Sequence, residues 1–446
     1  MSENKSKRYL IFGGVVVLTI AVLALLVTII ERVHEGRVDY LMITKIEPLE
    51  PDPDKWKVNF TKHYDDYMKT YRTADLVDYP KFGKYGGPVQ FSKLEEYEHL
   101  KRLWAGYPFS LDYNQARGHM NALQDMLDSE RLGDDKPGTC MSCKSPEVPL
   151  FMEEYGIETF YRTPVRELVD VHGFEHSVSC ADCHDAETMD LRISRPAFTE
   201  AMERRGVDLS QATRQEMRSY ACAQCHVEYY FKGEGNYLTF PWDYGLTIDD
   251  IEEYFDERDF ADWVHAETKA PMIKIQHPEF ELWSTGVHSR ANVSCADCHM
   301  TYKREGAVKI TDHWIRSPLV NISQSCLTCH RQDEEEMRDR VIQIQERTKK
   351  LLARTEDALI DAIDAIVEAM EAGASDAALE EARQYHRSSQ IRWDFIFSEN
   401  STGFHSPQES ARILGDAIDY ARKAEFAAFR AMVGADPIRV TFQNNQ

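Results

Sequence analysis

Two stretches of the chain carry strong hydropathy patterns, and they differ in kind. From Tyr9 to Ile30 runs YLIFGGVVVLTIAVLALLVTII, 22 residues without a charge. As a helix this covers about 33 Å, enough for a hydrocarbon core of about 30 Å. Lys5, Lys7 and Arg8 precede it. The positive-inside bias therefore predicts residues 1–8 in the cytoplasm, residues 9–30 as a transmembrane anchor, and everything after Glu31 on the periplasmic (exoplasmic) face. A cleaved signal peptide is the alternative, but its apolar region would be shorter and would end in small residues, whereas this one ends TIIERVHEG. The second pattern is a stripe: Val341, Ile344, Thr348, Leu352, Thr355, Leu359, Ile363, Ile366 and Met370 recur at three- and four-residue steps. That spacing predicts a long amphipathic helix, whose apolar face serves either packing within the chain or a dimer seam. Gly373 is a natural stop, Asp376 can cap a second helix, and Ser406-Pro407-Gln408-Glu409 offers a capping box for a third.

Between these stretches the patterning is weaker. Residues 31–110 interleave acidic and aromatic positions and are broken by Pro48, Pro51, Pro53 and Pro80, so they read as an N-terminal arm wrapped onto a body. Residues 111–330 show short helical stretches between Gly/Pro turns and little strand alternation. Residues 331–446 form the C-terminal helical region, a candidate for dimerisation.

Cysteine changes the picture. The ten cysteines fall without remainder into five pairs: Cys140/Cys143, Cys180/Cys183, Cys222/Cys225, Cys295/Cys298 and Cys326/Cys329. Four pairs are followed at once by His184, His226, His299 and His330; the first is followed by Lys144. C-x-x-C-H is the haem c attachment signature. Zinc or disulfide pairs do not require histidine directly after the second cysteine four times over. The expected fold is therefore mainly α, a multihaem cytochrome c whose core is filled by five haem c groups, with little β structure and long C-terminal helices.

A haem with histidine on both faces passes electrons but has no position for substrate. Lys144 marks one haem as different, because a lysine amine ligates iron only as the neutral base. Four histidines beyond the four proximal ones are needed to complete bis-histidine haems. Sixteen are present, and local setting alone does not select among the other twelve. The net charge of −23 argues against a nucleic-acid partner and requires that any anion site carry its own local positive groups.

The five motifs with CMSCK first, CAQCHVEYYF at 222–231 and KIQHPEFELW at 274–283 resemble the ammonia-forming cytochrome c nitrite reductases, over about residues 60–430. The resemblance implies six-electron reduction of nitrite to ammonium at the Lys144 haem, with Arg117, Tyr229 and His277 around its open face and a protonated His277 as proton source. It implies one calcium ion held by the Glu228 carboxylate, the Tyr229 and Lys274 carbonyls and the Gln276 side chain; a simple Glu228–Lys274 ion pair is the plainer alternative. It suggests distal ligands His313, His119, His405 and His288, paired with His184, His226, His299 and His330 in that order. It also implies a homodimer and, given the anchor, a membrane quinol-oxidising multihaem cytochrome as electron donor. The competing reading is a non-catalytic electron-transfer cytochrome.

Overall fold

A computed structural model describes residues 3–35, 42–133, 136–306 and 308–435. Helix α1 (Glu3–Glu35) contains the apolar stretch, and its side chains from Lys7 to Ile30 face outward and pack on nothing in the chain. Length and composition suit it to a membrane, which would bury those side chains.

The remainder is built from short helices, with strand confined among the described residues to three two-stranded antiparallel hairpins. These pair Tyr230–Lys232 with Tyr237–Thr239, Trp263–Val264 with Pro271–Met272, and Tyr302–Glu305 with Val308–Thr311. Each is too small to stand alone and borrows its support from the helices around it. Residues 42–110 lie against this body. Trp56 and Phe60 pack on Ala181 and Ala186 beside the second cysteine pair, while Leu100, Leu103 and Trp104 join a cluster with Trp393 and Phe397. A second cluster, around Met141, Phe160, Phe198, Trp242 and Phe280, backs the first pair.

Three long helices close the chain: α2 (Glu334–Glu371), α3 (Asp376–Ser398) and α4 (Pro407–Ala435). The apolar stripe of α2 is spent inside the chain, with Leu359, Ile363 and Ile366 fully buried. Ala358 and Ala362 meet Ala421 and Ala424 of α4, small side chains that let the two helices approach closely. Gly373 ends the first helix in the left-handed region at φ 90°. The cap of α3 is Ser375, one residue earlier than the sequence suggested. Its backbone is extended and its hydroxyl accepts from the Ala378 N–H at 3.3 Å, which leaves Asp376 as the first helical residue.

Candidate haem-binding and catalytic site

All ten cysteines line one continuous cavity of about 2000 Å³, larger than the roughly 300–1,000 Å³ that holds a single small ligand. Local sequence shapes each attachment turn. In Ser179-Cys-Ala-Asp182 and Ser294-Cys-Ala-Asp297 the serine caps a short helix, and the aspartate returns to the serine N–H at 2.7 and 2.8 Å. The residues between the cysteines also tie the motifs together. Buried Arg195 donates to Ser142 O, to Ser145 O at 2.9 Å and to Asp182, bracing the first motif on the second. Gln224 of the third motif donates to Asp182 O at 3.0 Å. Gln215 and Arg218, on the helix that leads into the third motif, hold Asp297 of the fourth at 2.6 and 2.8 Å. Cys143 and Cys225 are close neighbours, as are Cys222 and Cys295.

Four pairs of imidazoles face one another across this cavity. Ring centres lie 6.2 Å apart for His184/His313, 6.2 Å for His119/His226, 6.3 Å for His288/His330 and 6.5 Å for His299/His405. Two metal–imidazole bonds of about 2.0 Å, with the rings behind them, set the centres about 6 Å apart. The spacing fits one iron between each pair, in the pairing that the sequence resemblance implies. The elements explain the placement. His313 follows the third hairpin and its Nδ1 donates to Thr311 O at 2.8 Å. His184 donates to Met189 O at 3.0 Å and His299 to Arg316 O at 3.2 Å. Each bond fixes a tautomer that leaves Nε2 for a metal.

Arg117, Lys144, Tyr229, Gln276 and His277 all line this cavity, with Tyr229 close to Cys140 and Cys143 and His277 close to Lys144. Arg117 precedes a short helix at His119–Asn121, entered through Gly118 at φ 109°. Tyr229 leads into the first hairpin and stacks on Phe231 at 6.0 Å. His277 stands before the Glu279–Ser284 helix. Burial pushes its imidazole down to about 3, which favours the neutral ring with one N–H to donate over the protonated form the resemblance implies.

Behind Tyr229, the residues expected to hold calcium converge. Glu228 is fully buried; one carboxylate oxygen accepts from the Gln276 N–H at 2.6 Å and the other has no protein partner. Burial raises this carboxyl well above its usual range. Gln276 Nε2 lies 3.1 Å from Lys274 O; a half-turn of the amide puts its oxygen there instead, the arrangement a cation needs. An unpartnered carboxylate oxygen, the Lys274 carbonyl and an amide oxygen are hard-cation donors. The Lys274 ammonium pairs with Asp394 at 2.9 Å, not with Glu228, which removes the plainer ion-pair alternative.

Several residues at the site escaped sequence reasoning. Asp125 holds Arg117, Glu281 accepts from the Glu228 N–H at 2.8 Å, and Glu399 lies 2.6 Å from His405 Nδ1. Only the Ser-x-x-Asp capping boxes over two of the cysteine pairs left a local signal; the others act through tertiary proximity.

The Cytochrome c552 family profile matches residues 52–443. Cytochrome c-552 of Porphyromonas gingivalis is 41% identical over 445 residues, covering 96% of this chain and 88% of that protein. Cytochrome c-552 of Desulfotalea psychrophila is 36% identical over 453 residues, covering 97% and 86%. Among solved structures, the cytochrome c nitrite reductase catalytic subunit of Desulfovibrio desulfuricans, described with two calcium sites, superposes with a TM-score of 0.80 at 34% identity, covering 87% of this chain and 88% of that one.

Proposed function

The chain belongs to the cytochrome c552 family, and from that membership we propose that it is a cytochrome c nitrite reductase, an oxidoreductase that takes nitrite to ammonium in a six-electron reduction at a haem held by Lys144. The observation that carries this reading is the contrast among the five motifs. Four are matched by opposed histidines at 6.2–6.5 Å, while the fifth offers a lysine in the cavity that Arg117, Tyr229 and His277 also line.

Five haem c groups, one per cysteine pair, would supply electron carriage and an open iron position for the substrate. The chain's own residues do the rest. Arg117 provides the local positive charge that a protein of net charge −23 must supply to hold an anion. The Tyr229 hydroxyl and the His277 N–H are donors for nitrite oxygen, preset by the buried segments that carry them. Lys144 would hold the iron of the first-motif haem. His184, His226, His299 and His330, with His313, His119, His405 and His288, would hold the four relay haems. The closeness of Cys143 to Cys225 and of Cys222 to Cys295 supports a short electron path through the first, third and fourth motifs. One calcium ion at Glu228, Tyr229, Lys274 and Gln276 would brace the segments carrying Tyr229 and His277.

Residues 9–30 would anchor the protein, leaving residues 1–8 in the cytoplasm, the 31–110 arm and 111–330 core in the periplasm, and 331–446 for self-association. Because the α2 stripe is buried within the chain, a second copy would meet other surface. Phe426 and Phe429 on α4, 62% and 46% exposed, offer it an apolar face. A membrane quinol-oxidising multihaem cytochrome would be the donor.

The test is ammonium formed per nitrite consumed by the fully haem-loaded chain, with reduced viologen as donor. Equal amounts are expected, and Lys144→Ala should abolish turnover while altering one haem signal. A haem-loaded chain that leaves nitrite untouched would point to an electron carrier instead.

A further inference from the structure

The paired histidines divide by the group that holds their second ring nitrogen. His184, His313 and His299 rest on neutral backbone carbonyls. His226 has the Glu279 carboxylate 3.7 Å from Nδ1, outside hydrogen-bond reach, whereas His405 has the Glu399 carboxylate at 2.6 Å, with the Glu399 side chain entirely shielded from solvent. Glu399 stands at the C-terminal end of α3. Its oxygens also accept from Ser401 N at 3.0 Å, Ser401 Oγ at 2.8 Å and Gly403 N at 3.3 Å.

The loop is bent to make this happen. Thr402 and Gly403 both take left-handed conformations, at φ 55° and 80°, and for a β-branched threonine that is an outlier which the surroundings must enforce. Close packing leaves no alternative at Gly403, where a Cβ would lie 2.4 Å from Thr348 Oγ1. The backbone is thus wrapped around a buried carboxylate whose remaining contact is the ligand histidine.

We propose that Glu399 is a positioning residue that lowers the reduction potential of the haem between His299 and His405. This rests on the reading that those two histidines are axial ligands. A carboxylate charge 2.6 Å from Nδ1 makes the imidazole a stronger donor and stabilises the more positive, oxidised iron. The haem so held gives up its electron more readily to a neighbouring haem. One electron moves and no proton is required.

The experiment is a spectroelectrochemical titration of the full haem-loaded chain in detergent, with low-spin haem signals followed in parallel. Glu399→Gln should raise one midpoint, by about 59 mV or more for a tenfold change in a one-electron equilibrium, with the others unmoved. Glu399→Asp, which keeps the charge one methylene further away, should give a smaller rise, and it carries the test if the glutamine variant fails to load haem. Unchanged midpoints in a loaded variant would overturn the proposal. His405→Ala separates the two ideas, because it should remove one bis-histidine signal. If that signal persists, the ligand reading fails and the role of Glu399 with it; if it vanishes while the midpoints of the Glu399 variants stay put, only the role of Glu399 is lost.

Discussion

The Arg117 guanidinium is docked on Asp125: Nε donates to Oδ1 at 2.6 Å, and the arginine's own backbone N–H donates to Oδ2 at 2.9 Å. One carboxylate therefore grips both ends of the residue. An arginine meant to receive a small anion gains from this, because the order is imposed by the fold before the anion arrives.

Asp125→Ala should consequently weaken nitrite binding more than turnover. Steady-state kinetics should give a KM raised about tenfold, equivalent to about 1.4 kcal/mol, with kcat changed much less and the haem spectrum intact. An equal fall in kcat with KM unchanged would place Arg117 elsewhere in the cycle.

The unpartnered oxygen of Glu228 makes calcium removal measurable. Glu228→Gln should lower the bound calcium found by elemental analysis and reduce nitrite turnover, with all haems retained. The wild-type protein treated with a strong chelator should behave alike. A variant that keeps the wild-type calcium content would exclude Glu228 as a ligand.

Away from the cavity, His265 and His386 pack ring to ring at 5.2 Å. Burial, and after it the charge of His265, pushes His386 down to about 3, against about 6.5 when unfolded. Below about pH 6.5 the unfolded chain therefore binds the extra proton, and stability falls with falling pH until about pH 3. The loss is up to about 1.4 kcal/mol per pH unit from this one group. Thermal unfolding between pH 7 and 5 should be less steeply pH-dependent in His386→Asn than in the wild type. Identical slopes would mean that the ring is not held neutral.

Gly403→Ala combines a left-handed backbone with a Cβ placed 2.4 Å from Thr348 Oγ1. We expect a loss of about 2 kcal/mol or more, seen as a melting temperature lowered by several degrees. A melting temperature within a degree of the wild type would show that the loop accommodates the methyl group.

Much of this was legible in the sequence because covalent attachment writes itself locally: two thiols and a ligand must sit within five consecutive residues. The α2 stripe and the helix stop at Gly373 were equally local. Distal ligands are not, since His405 reaches His299 only through the fold, and residue pattern alone left twelve candidates. The stripe could not reveal its own partner, as packing on α4 and packing on a second chain demand the same spacing. Ser375 was passed over for Asp376 because both residue types cap helices and only the backbone angles separate them. The carboxylates of Asp125, Glu281 and Glu399 had no motif at all; their function is to stand beside something else.

The bonds made by the residues inside the motifs carry one more consequence. Arg195 leans the first attachment turn on the second, Gln224 leans the third on the second, and Gln215 and Arg218 fasten the helix before the third to the fourth. The first four turns are thus not interchangeable cassettes. Exchanging Asp182, Gln224 or Asp297 would disturb a neighbouring turn as well as its own, and a maturation fault at one of these positions should be felt as heterogeneity at the next.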